Sequence, residues 1–186
     1  MGSDVTVRLA RPQELTEIGE ITVAAYRADG FAGPAVEDGY ARQLRDAARR
    51  AEHAELLVAV DEQGAVLGSV TVVLPDTEYS EVCRAGEIEF RMLAVAPAAR
   101  GRGVGEALTR AVLRRAREER ATRVVLCSLD LMRTAHRLYE RLGFQRMPER
   151  DWCPAPDVRL LCYGLESAAS LAVEHDDRAA RQDQPG

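Results

Sequence analysis

The run RGRGVG at positions 100–105 constrains this chain most, because half of its residues are glycine and it joins two regular segments. Residues 87–95 have the pattern of a strand, and residues 106–120 have the pattern of a helix. A glycine-rich turn at a helix start directs free backbone N–H groups, and the positive end of the helix dipole, toward one point. Such a turn binds phosphate or pyrophosphate, and Arg100 and Arg102 can add charge-assisted hydrogen bonds to the same anion.

Spacing excludes the common nucleotide-binding loops. A triphosphate loop requires Gly-Lys-Ser/Thr, and the chain contains no lysine. A dinucleotide fingerprint requires G-x-G-x-x-G, but the sixth position is Glu106 counted from Gly101 and Leu108 counted from Gly103. What remains is Arg-x-x-Gly-x-Gly, preceded by LAVAP.

Two segments in a fixed order carry a family resemblance. The segment RMLAVAPAARGRGVGEALTRAVLRRA resembles the acyl-CoA pyrophosphate loop of the GNAT N-acetyltransferase superfamily, and AHRLYERLGFQRMPERDW resembles its downstream Leu-Tyr-x-x-Leu-Gly-Phe motif. The resemblance spans roughly residues 4–165. It implies an α/β (α+β) fold, with a central mixed, mostly antiparallel, splayed sheet of about seven strands flanked by about four helices.

The periodicity of the chain agrees with that order of elements. It predicts strands over 5–9, 56–60, 66–74, 87–95, 123–128, 144–147 and 158–165, and helices over 13–27, 36–52, 106–120 and 130–142. We expect one acetyltransferase domain over residues 4–166, a disordered N-terminus over 1–3, and a disordered polar tail over 167–186.

Composition excludes several partners. No apolar run approaches the ~20 residues of a membrane span, and no signal segment opens the chain, so we expect a cytoplasmic protein without a membrane partner. A net charge of −5 argues against nucleic acid. The four cysteines and three histidines lack metal-ligand spacing, so we expect no metal site, and we interpret Cys127 and Cys162 as buried thiols.

The resemblance implies that acetyl-CoA is the donor substrate. Backbone amides of residues 101–105 would hold the pyrophosphate, and the strand would open beside residues 93–95 to pair with the pantetheine arm. An N–H near Leu93 would stabilise the thioester oxyanion. Relatives often carry an asparagine where this chain has Met132, so that contact is not carried over. The implied acetyl-CoA-binding residues are Leu93, Ala94, Val95, Arg100, Gly101, Arg102, Gly103, Val104 and Gly105.

Three residues are candidates for proton transfer. Glu87, Glu89 and Arg91 alternate and therefore share one face of a strand, where two carboxylates can raise one another's pKa toward that of a useful base. Either glutamate, or water, can serve as the base; both can also be surface acids partnered by Arg91. Tyr139 matches the superfamily tyrosine that protonates the leaving thiolate.

These features predict an acetyl-CoA-dependent N-acetyltransferase acting by direct attack of an amine in a ternary complex. The alternative is an acyl-CoA-binding regulatory module without turnover, which would need neither the glutamates nor Tyr139. In relatives the amine enters between two loops, here 27–34 and 148–157, the second of which contains Trp152. The acidic balance weakly favours a cationic small-molecule or peptide amine. The identity of the acceptor stays open. Relatives are often dimers, so a homodimer is one candidate assembly.

Overall fold

The computed structural model describes residues 5–30 and 39–167. Its eight strands are β1 (Thr6–Leu9), β2 (Glu55–Val60), β3 (Val66–Val73), β4 (Glu87–Val95), β5 (Arg123–Leu129), β6 (Gln145–Arg146), β7 (Trp152–Ala155) and β8 (Val158–Glu166). Its α-helices in the described ranges are α1 (Leu15–Ala28), α2 (Ala41–Arg45), α3 (Ala47–His53), α4 (Val104–Glu118) and α5 (Arg133–Arg141).

All eight strands form one mixed sheet. The order is β1-β2-β3-β4-β5-β8-β6, and β7 also pairs with β8. In the described sheet every pair is antiparallel except β4 with β5. A parallel pair needs a long crossover connection, and α4 provides it. The predicted fold class, a mixed and mostly antiparallel sheet with flanking helices, is confirmed.

Both faces of the sheet are buried. Alternate residues of β2 point to opposite faces and pack in different apolar clusters. Leu57 and Ala59 belong to the largest apolar cluster, which includes Leu108 of α4. Leu56 and Val58 instead pack with Ile18 of α1. The sheet is therefore the middle of three layers, with α1 on one face and α4 on the other.

Three predictions of secondary structure were wrong. The helix predicted over 36–52 is two short helices in its described part, because Asp46 leaves helical geometry and its carboxylate accepts the Arg49 N–H to cap α3. Residues 130–132 form a turn before α5 instead of its first turn. The connection predicted between the last strands contains an eighth strand, β7, which pairs with β8.

Some expectations fall outside the described residues. These are the disordered N-terminus over 1–3, the tail beyond residue 167 and the part of the first acceptor loop between residues 31 and 34. Within the described ranges, no helix is both long enough and apolar enough to cross a bilayer.

Candidate active site

A cavity of about 570 Å³ opens where β4 and β5 separate. The two strands are in register only from Glu87 to Glu89, opposite residues 123–125. On its other side β4 bulges against β3, since the register shifts between Ser69 and Thr71 and Met92 has a φ of 52°. The predicted opening of the strand is present, and Leu93, Ala94 and Val95 all line the cavity.

The glycine turn lines this cavity. Gly101 and Gly103 have φ values of 79° and 77°, a region that favours glycine. Gly103 is the N-cap of α4 and supplies no side-chain cap. The N–H groups of the first helical turn are thus available to an external acceptor. The chemistry of this turn fits a pyrophosphate.

Eight of the nine predicted acetyl-CoA-binding residues line the cavity, and Arg102 does not. Arg100 lines it, but its guanidinium is already engaged at the end of α1. Its Nη2 lies 2.9 Å from Asp29 Oδ1 and donates to the Ala25 carbonyl at 3.2 Å. Arg100 therefore links the glycine turn to the start of the first predicted acceptor loop.

Glu89 is fully buried and lines the cavity. Its Oε2 accepts three backbone N–H bonds, from Glu81 at 3.0 Å and from Val82 and Cys83 at 3.1 Å each. Its Oε1 has no hydrogen-bond partner in the described part of the chain, and Arg91 Nε is 3.9 Å away. Burial raises the pKa of Glu89, although the three N–H groups and Arg91 oppose that shift. One carboxylate oxygen holds a loop, and the other can accept a proton.

Glu87 is placed differently and does not line the cavity. Its carboxylate pairs with Arg150 through two contacts, at 2.8 and 2.9 Å, and accepts the Arg84 N–H at 3.0 Å. Burial alone would raise the pKa of Glu87, but the bonds from Arg150 and Arg84 hold it below its usual value. The predicted mutual raising of the two pKa values is thus wrong for Glu87.

Tyr139 lies on α5 and lines the cavity with its ring buried. The ring packs against Phe90, Phe144 and Tyr163, with centroids 5.8 to 5.9 Å apart. Burial raises the pKa of Tyr139, so the phenol keeps its proton at neutral pH. A protonated hydroxyl at a cavity wall can donate to a developing anion.

The sequence did not reveal several other cavity residues. They share no motif because they come from α1, the start of α2, the 75–86 loop and the β7–β8 hairpin. Trp152 does not line the cavity, whereas its neighbours in the hairpin do. The residues that lie outside the two predicted acceptor loops include Tyr26, Tyr40, Gln43 and Glu81, whereas Asp29, Pro154 and Ala155 lie within those loops.

Comparison with known proteins places the chain in a family. Residues 16–144 match the model of the Acetyltransferase (GNAT) family. The match spans more than half of the chain, and the chain belongs to that family.

Individual proteins are similar to this chain in sequence or in fold. Mycothiol acetyltransferase from Salinispora tropica is 40% identical over 94 residues, which is 50% of this chain and 29% of that relative's length. A GNAT-family acetyltransferase from Staphylococcus aureus Mu50 superposes with a TM-score of 0.67 at 14% identity, covering 87% of this chain and 98% of the other. A GNAT-family acetyltransferase from Brucella melitensis, solved with acetyl-CoA, has a TM-score of 0.54 at 26% identity, covering 89% and 92%.

Proposed function

We propose that this chain is an acetyl-CoA-dependent N-acetyltransferase that acetylates a primary amine by direct attack in a ternary complex. One observation carries the proposal. A single cavity brings together the free Oε1 of Glu89, the buried phenol of Tyr139, the open edge of β4 and the uncapped N-terminus of α4.

The donor's polar groups match this cavity in order. Pyrophosphate oxygens accept hydrogen bonds from the first turn of α4. The amides of the pantetheine arm pair with residues 93–95, where β4 has no β5 partner in the described sheet. This arrangement puts the thioester at the point where β4 and β5 diverge.

Acetyl transfer then requires two proton movements. The amine nitrogen attacks the thioester carbon, the C–S bond breaks, and the nitrogen carries an extra proton until a base removes it. Glu89 Oε1 takes that proton, directly or through water, since the raised pKa of Glu89 suits a base. Tyr139 donates its proton to the leaving thiolate, and the backbone N–H near Leu93 stabilises the oxyanion formed between these steps.

The charge of the cavity lining favours a cationic amine. Four carboxylates (Asp29, Glu81, Glu89 and Glu106) line it against three guanidinium groups (Arg91, Arg100 and Arg141). The rings of Tyr26 and Tyr40, with centroids 6.1 Å apart, form an aromatic wall beside them. Aromatic faces and an excess of carboxylate both attract an ammonium group.

An amine-library screen that monitors release of the coenzyme A thiol tests the proposal. The panel includes polyamines, amino acids, peptide N-termini and the acceptor of mycothiol acetyltransferase. Because the match spans only 29% of that relative's length, its acceptor is one candidate among the others. We expect thiol release to depend on one class of cationic amine. Tight acetyl-CoA binding without release from any amine would favour the alternative, an acyl-CoA-binding regulatory module.

A further inference from the structure

Cys127 and Cys162 face one another across β5 and β8 as register partners. The Cys162 N–H donates to Asp151 Oδ1 at 2.8 Å, and its carbonyl accepts the Met147 N–H at 2.9 Å. Both backbone groups of Cys162 therefore point away from β5, which makes the two cysteines a non-hydrogen-bonded pair. In such pairs the Cα atoms are about 4.5 Å apart and the side chains approach most closely.

This backbone placement is compatible with a disulfide. Disulfides join Cα atoms roughly 4.4 to 6.8 Å apart, so β5 and β8 need little movement to be bridged. All four cysteines are free thiols in the structure. Neither Cys83 nor Cys153 has a cysteine as its strand partner.

The two sulfurs differ in access and in acidity. Cys127 lines the cavity, whereas Cys162 has no exposed surface. The interaction between the two thiols lowers the pKa of Cys162 and, together with burial, raises that of Cys127. A small reagent entering the cavity thus meets Cys127, whereas Cys162 is buried.

We propose that Cys127 and Cys162 form a reversible oxidation site, at which a hydroperoxide converts the facing thiols into a cross-strand disulfide. The Cys127 sulfur attacks the terminal peroxide oxygen, the O–O bond breaks, and the Cys127 proton leaves with the alcohol. Cys162 then attacks the resulting sulfenic sulfur, the S–O bond breaks, and water carries away the hydroxyl and the Cys162 proton. The two thiols lose two electrons, which reduce the peroxide to alcohol and water.

Access divides the two steps between the sulfurs, because Cys127 lines the cavity and Cys162 has no exposed surface. The pKa of Cys127 is raised, so little thiolate is present and the oxidant must be in excess. The product ties β5 to β8 at the cavity wall and removes a thiol proton on the sheet face that carries Glu89.

Peptide mapping of the full chain tests the pair. Wild-type protein is incubated with excess hydrogen peroxide, quenched in acid, unfolded and labelled with N-ethylmaleimide. We expect Cys127 and Cys162 to lose their labels together, to appear as one cross-linked peptide, and to regain both labels after dithiothreitol. If oxidation reaches exposed Cys153 while both Cys127 and Cys162 stay labelled, or if the cross-link involves Cys83 or Cys153, the proposal is overturned.

One single and one double cysteine variant test the two steps and the identity of the pair. In Cys162→Ala the resolving sulfur is missing, so we expect a sulfenic acid on Cys127 that dimedone traps and no intramolecular cross-link. In Cys83→Ser/Cys153→Ser the pair is intact, so the cross-link should persist; its disappearance in that folded variant would contradict the proposal. If a variant does not fold, the wild-type map decides alone. None of these readouts depends on acetyltransferase activity.

Discussion

The two halves of β4 belong to one strand but differ in how they are paired. From Glu87 to Glu89 the strand is paired in register with β5. The Glu87 carboxylate accepts hydrogen bonds from the Arg150 side chain and the Arg84 N–H. From Arg91 to Val95 the strand partner of β4 in the described sheet is β3, through Arg91, Ala94 and Val95 on either side of the bulge, and residues 91–95 line the cavity. The closed half holds the protein together, while the open half leaves backbone groups for a ligand.

The alternating polar side chains of β4 also hold the loop over residues 79–84. Glu87 accepts a hydrogen bond from the Arg84 N–H, and Glu89 accepts three from the N–H groups of residues 81–83. Arg91 donates to the Tyr79 carbonyl at 2.9 Å and pairs with Glu81. A polar strand face therefore signals loop anchoring as much as acid–base chemistry. On the proposed function, Glu89 is the one of these three side chains that combines the two.

The largest effect should come from the closed half. Arg150→Ala removes one partner of a buried pair whose side chains are each 6% exposed, so it should cost about 3–5 kcal/mol of unfolding free energy. Denaturant unfolding measures this loss. Arg141→Ala, which breaks the exposed pair with Glu106, is the matched control and should cost less than about 1 kcal/mol. Equal losses of unfolding free energy in the two variants would contradict a stabilising role for the buried Glu87–Arg150 pair.

Substitution of Glu89 should act on turnover rather than on folding. Glu89→Gln keeps an oxygen for the loop N–H groups but loses the base, so kcat should fall by about 10²–10³ with acetyl-CoA affinity nearly unchanged. In the wild type, kcat/KM should decline as pH falls through the raised pKa of Glu89, above the ordinary value of 4.5. That acidic limb should vanish in Glu89→Gln and persist in Glu81→Gln. Wild-type turnover by Glu89→Gln would remove Glu89 from the base role.

A side chain at the glycine turn would block it at the cost of backbone strain, and a control glycine with a similar φ reproduces that strain. Gly103→Trp places a large side chain where we seat the pyrophosphate, so the Kd for acetyl-CoA should rise about a hundredfold, or ~2.7 kcal/mol. Gly64→Trp is the control, because Gly64 has a similar φ of 83° and also has open space at its Cβ position. Calorimetric titration of both variants measures the difference. Similar Kd values for the two would mean that the anion binds elsewhere.

Loss of the Tyr139 hydroxyl should have the smallest effect. Tyr139→Phe keeps the ring packing and removes the proton donor, so kcat should fall about 10- to 100-fold, because a thiolate leaves readily even without full protonation. Steady-state kinetics measure the fall. Tyr163→Phe alters a neighbouring buried ring, 5.9 Å away, that does not line the cavity, and it should leave kcat unchanged. A larger fall of kcat in Tyr163→Phe than in Tyr139→Phe would indicate an effect of ring packing rather than loss of a proton donor.

Local patterns predicted the parts of the site that lie within one segment. The glycine turn, the open stretch of β4 and the motif around Tyr139 each depend on residues close in sequence, and all three meet at the cavity. The roles of Glu87 and Arg100 could not be predicted. Their partners are far along the chain, since Arg150 is 63 positions from Glu87 and Ala25 is 75 positions from Arg100. Only the fold brings such pairs together.

The short register between β4 and β5 has a thermodynamic consequence. In the described sheet, three residue pairs alone join the β1–β4 half to the half that contains β5 and β8. A ligand bound in the gap contacts both halves, so its binding free energy adds to the cohesion of the sheet. At a hundred times its Kd such a ligand adds about 2.7 kcal/mol to the stability of the folded chain. On the proposed function, acetyl-CoA is thus also a structural component, and the protein should be most susceptible to unfolding when its donor is depleted.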